Sequence, residues 1–201
     1  MIRKLLAGIL GGIAFFAWSF IAHVFTGLGE TGVQEIPNEQ AVTAAMKANI
    51  PGDGLYLFPG YGLPATASHS EKMAAMKAMA DKHYAGAGGV LIYHPAQSVE
   101  LKPSQLLTEL GTNILQVLLA VFLLGQTSAA SFGARWRFIT IAGLLAAIST
   151  NVSYWNWFGF PGNYTLAYIS IIFIGFVCAG LVAAAIVKPG AGMPETMAAR
   201  A

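Results

Sequence analysis

The chain has 201 residues, of which 56% are hydrophobic and 10% charged, and its net charge at pH 7 is +2. A soluble domain carries about 25% charged residues on average and needs a polar exterior, so this composition excludes an ordinary soluble fold. The small, dispersed positive charge argues against nucleic-acid binding, and the single cysteine, Cys178, excludes an intrachain disulfide and a Cys-x-x-Cys site.

The first apolar run covers residues 5–28 and follows the basic pair Arg3 and Lys4. It is longer than the 7–15 apolar residues of an ordinary signal peptide, and no convincing small-residue cleavage site follows it. It also contains Trp18 and His23. We interpret it as an uncleaved signal-anchor helix, with a cleaved signal peptide as the alternative.

Three further apolar runs cover residues 104–125, 136–157 and 164–187. Each approaches or exceeds the ~20 residues that an α-helix needs to cross a bilayer. We therefore predict an α-helical integral membrane protein, a four-helix transmembrane bundle with a small α/β extracytoplasmic insert. The predicted domains are residues 1–28 (N-terminus and first span), 29–103 (insert), 104–187 (spans two to four) and 188–201 (a flexible, Gly/Pro/Ala-rich cytoplasmic tail).

The basic residues predict the orientation of the chain. With a cytoplasmic N-terminus, all four arginines fall on the cytoplasmic side, whereas the insert mixes five lysines with seven acidic residues. Short basic segments on one side are the bias expected of the cytoplasmic face. We predict that both termini are cytoplasmic and that the insert is on the outer side.

The insert is predicted to contain two helices and two strands in alternation. They are a helix over 37–49, a strand over 55–58, a helix over 68–85 and a strand over 90–93. Ser68 and Glu71 have the spacing of a capping box at the start of the second helix. Because a helix joins the strands, we expect a parallel pair. Two strands alone are marginally stable, so we expect the insert to lean on the bundle or on a partner.

An aromatic segment, residues 154–164, joins the third and fourth spans. Tyr and Trp rings favour the headgroup layer of a membrane, and the Phe-Pro-Gly step suits a tight turn. We interpret the segment as an interfacial anchor and hairpin. Ligand binding by its rings is the alternative.

Polar side chains within the spans form the first candidate site. Glu109, Asn113 and Gln116 share one face of the second span, and His23 lies at a similar depth of about 7 Å in the first. The candidate cluster is His23, Glu109, Asn113, Gln116, Asn151 and Tyr168. An imidazole beside a carboxylate indicates a proton- or ligand-responsive site, whereas the alternative is hydrogen bonding that fixes helix packing.

A stripe of methionine and histidine on the insert's second helix forms the second candidate site. It contains His69, Met73, Met76 and His83, and His94 is expected nearby. Thioether and imidazole ligands suit copper(I). The alternative is an apolar stripe that covers the strands, in which methionine is a common filler.

No catalytic motif is present: the chain lacks His-Glu-x-x-His, Gly-x-Ser-x-Gly, a P-loop and a Gly-x-Gly-x-x-Gly fingerprint. A haem held by two intramembrane histidines is not expected, because only His23 lies in a span. The glycines at Gly8, Gly11 and Gly12 are typical of a helix-packing face. We therefore predict that the protein is not an enzyme.

Five segments carry a resemblance as a set. They are residues 28–32, 37–39, 56–59, 92–95 and 155–161. They resemble a family of small, uncharacterised bacterial inner-membrane proteins with four spans. The resemblance implies a bacterial inner-membrane location with a periplasmic insert, and it implies no activity, cofactor or catalytic residue.

The leading functional hypothesis is an accessory or structural component of a larger membrane assembly. Its predicted partners are the lipid bilayer and either other proteins or further copies of itself. The alternatives are a periplasm-facing binder of copper or of a small ligand, and a component of proton-linked transport that uses His23 and Glu109. The sequence requires no cofactor and predicts no nucleic-acid partner.

Overall fold

Long helices account for most of the chain in this computed structural model, which describes residues 1–64, 66–83, 86–96 and 100–188. The elements are α1 (Ile2–Val24), α2 (Glu39–Asn49), β1 (Gly54–Phe58), α3 (His69–His83), β2 (Gly89–Tyr93), α4 (Pro103–Leu124), α5 (Phe132–Phe158) and α6 (Gly162–Ile186). The helices α1, α4, α5 and α6 are long and apolar enough to cross a membrane, which suggests a membrane location. The predicted tail beyond Lys188 lies outside the described residues.

The chain divides into two compact units. The described residues of 1–33 and 100–188 form the first unit, which contains the four long helices, and the described residues of 34–99 form the second. In the first unit α1 packs along both α4 and α6, and α6 packs along α5, whereas α4 and α5 meet only sparsely.

Glycines bring the backbones of these helices close together. A Cβ on Gly12 would lie 2.4 Å from the Cα of Ile114 in α4, and one on Gly8 would lie 2.2 Å from the side chain of Leu118. A Cβ on Gly11 would lie 2.9 Å from the side chain of Val117. The predicted packing face of α1 is therefore confirmed, and its partner is α4.

The densest packing lies in one half of the first unit. This half contains the N-terminal parts of α1 and α5 and the C-terminal parts of α4 and α6. Its buried side chains include those of Ala7, Val117, Val121, Ile139, Ala179 and Ala183. Indole N–H groups tie helices together: Trp18 Nε1 donates to the carbonyl of Ile171 at 2.9 Å, and Trp136 Nε1 donates to that of Val177 at 3.3 Å.

α5 begins four residues earlier than the predicted span, because Ser131 caps it. The Ser131 hydroxyl accepts a hydrogen bond from the backbone N–H of Ala134 at 3.1 Å, which is the usual N-cap geometry. The extension carries Arg135 into the packed half, where it is buried. Its Nε donates to the carbonyl of Ala184 at 3.2 Å and its Nη1 to that of Ala130.

The turn between α5 and α6 is as tight as predicted. α5 ends at Phe158 and is followed by Gly159, whose φ of 72° is the left-handed conformation that glycine adopts at little cost. Pro161 directly precedes α6. The rings of Tyr154 and Phe160 stack across the turn with centroids 5.4 Å apart.

The second unit has the predicted order of helix, strand, helix and strand, but its strands are antiparallel. Gly54 pairs with Tyr93 and Phe58 pairs with Gly89. The predicted parallel pairing was wrong because the linker before α3 is long. Residues 59–68 can extend to roughly 33 Å, whereas the 15 residues of α3 span about 22 Å. The chain can therefore leave along the linker and return along the helix to the same end of β1.

The capping box at the start of α3 is confirmed. The backbone N–H of Ser68 donates to Glu71 Oε2 at 2.7 Å, and the N–H of Glu71 donates to Ser68 Oγ at 3.3 Å. The Ser68 hydroxyl also donates to Glu71 Oε2 at 2.6 Å. Hydrogen bonds from the hydroxyl and then from the backbone of Ser68 hold the pKa of Glu71 below its ordinary value.

Candidate functional site

A cavity of about 610 Å³ lies among the four long helices. It occupies the half of the unit opposite the dense packing, where α1 ends and α4 begins. α1 lines it with Phe15, Phe16, Ser19, Phe20, His23 and Val24. α4 lines it with Gln105, Leu106, Glu109, Thr112, Asn113 and Gln116. Leu101 precedes α4, and the remaining wall is Ala146, Thr150, Tyr168, Ile171 and Ile172.

The cavity combines an apolar body with one polar wall. Most of the lining side chains of α1 and α6 are apolar. Most of those of α4 are polar, with amide, carboxyl and hydroxyl groups on successive turns of the helix. A pocket of this size with a few convergent polar groups is the usual form of a small-molecule site. The arrangement fits a ligand that has an apolar part and a polar head.

His23 is held on the wall by three neighbours. Its Nδ1 lies 2.8 Å from the carbonyl oxygen of Ser19, and its ring meets that of Tyr168 edge to face with centroids 5.9 Å apart. A Cβ on Gly29 would lie 2.3 Å from its Cδ2, so the turn after α1 packs against the imidazole. Because a carbonyl only accepts, the Nδ1 atom carries the proton of this hydrogen bond.

Glu109 supplies the carboxyl group of the wall. Its Oε1 accepts a hydrogen bond from Asn113 Nδ2 at 3.2 Å, and Asn113 itself is buried. Among the described residues, no lysine or arginine lines the cavity. The carboxyl group is therefore held by an amide from its own helix and faces a cavity whose described lining offers no cationic side chain other than a protonated His23.

The structure brings five of the six residues of the predicted intramembrane cluster to one cavity. These are His23, Glu109, Asn113, Gln116 and Tyr168. Asn151 is buried elsewhere, with its Nδ2 donating to the carbonyl of Ala147 at 2.9 Å. Among the described residues, His23 and Glu109 form no ion pair; each uses a partner from its own helix.

Four polar lining residues lie outside the predicted cluster: Ser19, Gln105, Thr112 and Thr150. Gln105 lies one turn before Glu109 on the same face of α4, so the periodicity that found Asn113 also points to it. The side-chain oxygen of Gln105 accepts from the N–H of Lys102 at 2.8 Å. Thr150 directly precedes Asn151 in α5, and only the rotation of α5 about its axis decides which of the two faces the cavity.

Several lining residues of the cavity are exposed. They include Glu109 and Thr112 on α4 and Ala146 and Thr150 on α5, as well as Phe20 and His23 on α1. The helices α4 and α5 also have sparse contacts with each other.

The second candidate site lies in the other unit, on α3. Met73 and Met76 are 49% and 47% exposed, whereas Met79 on the same helix is buried. The side chain of His83 lies outside the described residues. His94 pairs with Asp53, with Nδ1 and Oδ1 3.4 Å apart. Within the described chain no three His, Cys, Asp or Glu residues come together as metal ligands; copper binding through methionine stays a prediction.

In comparisons with protein-family models, curated proteins and solved structures, nothing matches this chain. The role of the cavity is therefore argued from its own geometry.

Proposed function

We propose that this chain is an integral membrane protein that binds a small amphipathic molecule in the cavity among its four long helices. The observation that carries the proposal is the cavity itself, about 610 Å³ with a polar wall, beside a half of the same bundle that is densely packed. Helices that only anchor a protein gain from close packing throughout, because voids lose dispersion contacts.

The proposed ligand reaches the cavity from the bilayer. Its route is the sparse contact between α4 and α5, whose lining residues are exposed at the side of the bundle, where lipid surrounds the spans in the predicted arrangement. An amphipathic molecule is already concentrated in that phase, with its polar part near the interface. The polar wall belongs to the ends of the spans next to the insert, which we propose to be the outer, periplasmic side of a bacterial inner membrane.

Blocking the cavity tests this function. In Ala146→Trp a large side chain is placed in the wall, whereas Leu145→Trp places the same side chain on the neighbouring residue, which is 68% exposed and does not line the cavity. Native mass spectrometry of protein extracted gently from its own membranes is expected to show a bound small molecule in the wild type and in Leu145→Trp. Ala146→Trp is expected to lack it.

Equal occupancy in Ala146→Trp and in the wild type would refute the cavity as the binding site. A wild-type protein that carries no small molecule in any preparation would count against the function itself. Both variants must elute as the wild type does in gel filtration, which controls for misfolding.

The accessory role predicted from the sequence is the second candidate function. It is favoured by one face of the two-stranded sheet, on which Leu55, Leu57 and Ile92 are 68%, 56% and 67% exposed. An exposed apolar patch on a marginal sheet is typical of a surface that is covered by a partner. The same native mass spectra decide: a defined heteromeric complex supports this role, and a lone monomer with a folded insert contradicts it.

A further inference from the structure

The polar wall of the cavity holds one carboxyl group, that of Glu109, among amide, hydroxyl and imidazole groups. Of the two oxygens of Glu109, Oε1 accepts from Asn113, and none of the hydrogen bonds seen among the described residues uses Oε2. When the His23 ring is neutral, its Nε2 atom is also an acceptor, because Nδ1 donates to the carbonyl of Ser19. A ligand that donates hydrogen bonds can therefore bind both groups.

The charge of the wall points the same way. Glu109 is the only acidic residue among the lining residues, and no lysine or arginine is among them. A carboxylate in apolar surroundings is costly unless a cation pairs with it. The hydrogen bond that Glu109 accepts comes from a neutral amide, so a cationic group of the ligand can pair with its carboxylate.

We propose that the ligand of this cavity is a cationic amphiphile, an organic ammonium with an apolar body, whose N–H groups bind Glu109 and whose body lies against the aromatic side chains of α1. Phe15, Phe16 and Phe20 line the apolar part, and aromatic faces also attract cations. This proposal rests on the proposed function and names the class of molecule that the site selects.

A rigid trio of probes tests the charge of the ligand without changing its shape. The probes are 1-adamantylammonium, 1-adamantanol and 1-adamantanecarboxylate, which share one apolar cage and carry a positive, a neutral and a negative head. Binding is measured by equilibrium dialysis to the protein in phosphatidylcholine nanodiscs, with empty nanodiscs subtracted to remove partitioning into lipid.

The wild type is expected to bind the ammonium probe about tenfold more tightly than the alcohol, the ratio that one charge-assisted hydrogen bond provides. Binding of the carboxylate is expected to be the weakest. Glu109→Gln keeps the shape and removes the charge, so it is expected to abolish the preference for the ammonium while it retains binding of the alcohol. Glu30→Gln, which removes a carboxylate outside the cavity, is the matched control and is expected to keep the preference.

Three outcomes separate this inference from the proposed function. Equal affinities for the ammonium and the alcohol, both lost in Ala146→Trp, would overturn the cationic ligand and leave the cavity as a binding site. A preference that survives Glu109→Gln would overturn the role of this carboxyl group. Binding that is unchanged by Ala146→Trp for all three probes would overturn the cavity and the proposed function together. Retained alcohol binding in Glu109→Gln shows that this variant is folded.

Discussion

At the scale of single residues, a few hydrogen bonds decide where helices begin. Ser131 starts α5 and Ser68 starts α3, each with its hydroxyl accepting from a backbone N–H three residues on. At Ser68 the side chain of Glu71 also accepts a hydrogen bond from the backbone N–H of the serine. Capping of this kind satisfies donors that the first turn of a helix leaves unpaired.

Ser68→Ala is expected to raise the pKa of Glu71 towards its ordinary value, because the largest cause of the lowered pKa is the hydrogen bond from the Ser68 hydroxyl. An NMR titration of the Glu71 side chain in the full-length protein measures the change. Ser70→Ala is the control, since its hydroxyl contacts Ser68 and not Glu71. A pKa that does not move in Ser68→Ala would contradict the assignment.

The same hydrogen bonds give the start of α3 a defined pH dependence. Because the pKa of Glu71 is lower in the folded chain than in the unfolded one, the carboxylate stabilises the fold above the unfolded pKa. That contribution is lost as the pH falls through the lowered pKa. The capping box is therefore expected to be intact at neutral pH and to weaken only in acid.

The residues of the cavity show what depth along a helix can and cannot predict. Depth placed His23 and Glu109 at one level, and the structure finds both on the same cavity. Depth also placed Asn151 there, but α5 turns Thr150 to the cavity and buries Asn151 against Ala147. Rotation about the axis of a helix depends on its packing partners, which a single sequence does not reveal.

At the scale of elements, glycines set how closely α1 and α4 approach. The Cα of Ile114 occupies the space that a side chain at Gly12 would need, at 2.4 Å. A backbone atom cannot rotate away as the end of a flexible side chain can. The contact therefore tolerates no larger residue without moving one helix.

Gly12→Ala is expected to destabilise the bundle by about 1–3 kcal/mol, the usual cost of overpacking, or to prevent assembly. Gly111→Ala is the matched control in α4, because nothing lies within 4 Å of a Cβ at that position. That variant is expected to match the wild type or to exceed its stability slightly. Thermal unfolding in one detergent measures both, and equal midpoints for Gly12→Ala and the wild type would contradict the close contact.

The two-stranded sheet shows a limit of reading connections from the order of elements. The sequence predicts both strands within one residue of their ends, since apolar runs between glycine and proline mark them. It does not predict their direction, because the crossover rule assumes that the connecting helix carries the chain back along the strand. Here the ten-residue linker before α3 is long enough to carry the chain away from the end of β1, and α3 can then return it to that end.

At the scale of the whole molecule, four long apolar helices follow from composition and length alone. Runs of about 20 apolar residues have few other stable uses. The cavity does not follow from the runs, since it depends on which helices pack closely and which diverge. The segment after α1 that packs against His23 through Gly29 also gave no signal in the sequence.

The orientation of the whole molecule is tested by cysteine labelling. In a Cys178→Ala background, Thr43→Cys places one thiol in α2, and Ser128→Cys places one between α4 and α5; both positions are exposed. A membrane-impermeant maleimide added to intact spheroplasts is expected to label the first and to label the second only after permeabilisation. The reverse pattern would contradict a periplasmic insert and cytoplasmic termini.

The contacts among the helices also impose an order on synthesis. α1 can pair with α4 as soon as α4 has been made, because the close contacts of Gly8 and Gly12 are with α4. α5 follows next along the chain, yet its extensive contacts are with α6, which is made after it and which also packs along α1. Until translation reaches residue 186, a nascent chain therefore holds a helix pair that still lacks α6 and a helix, α5, without its main partner.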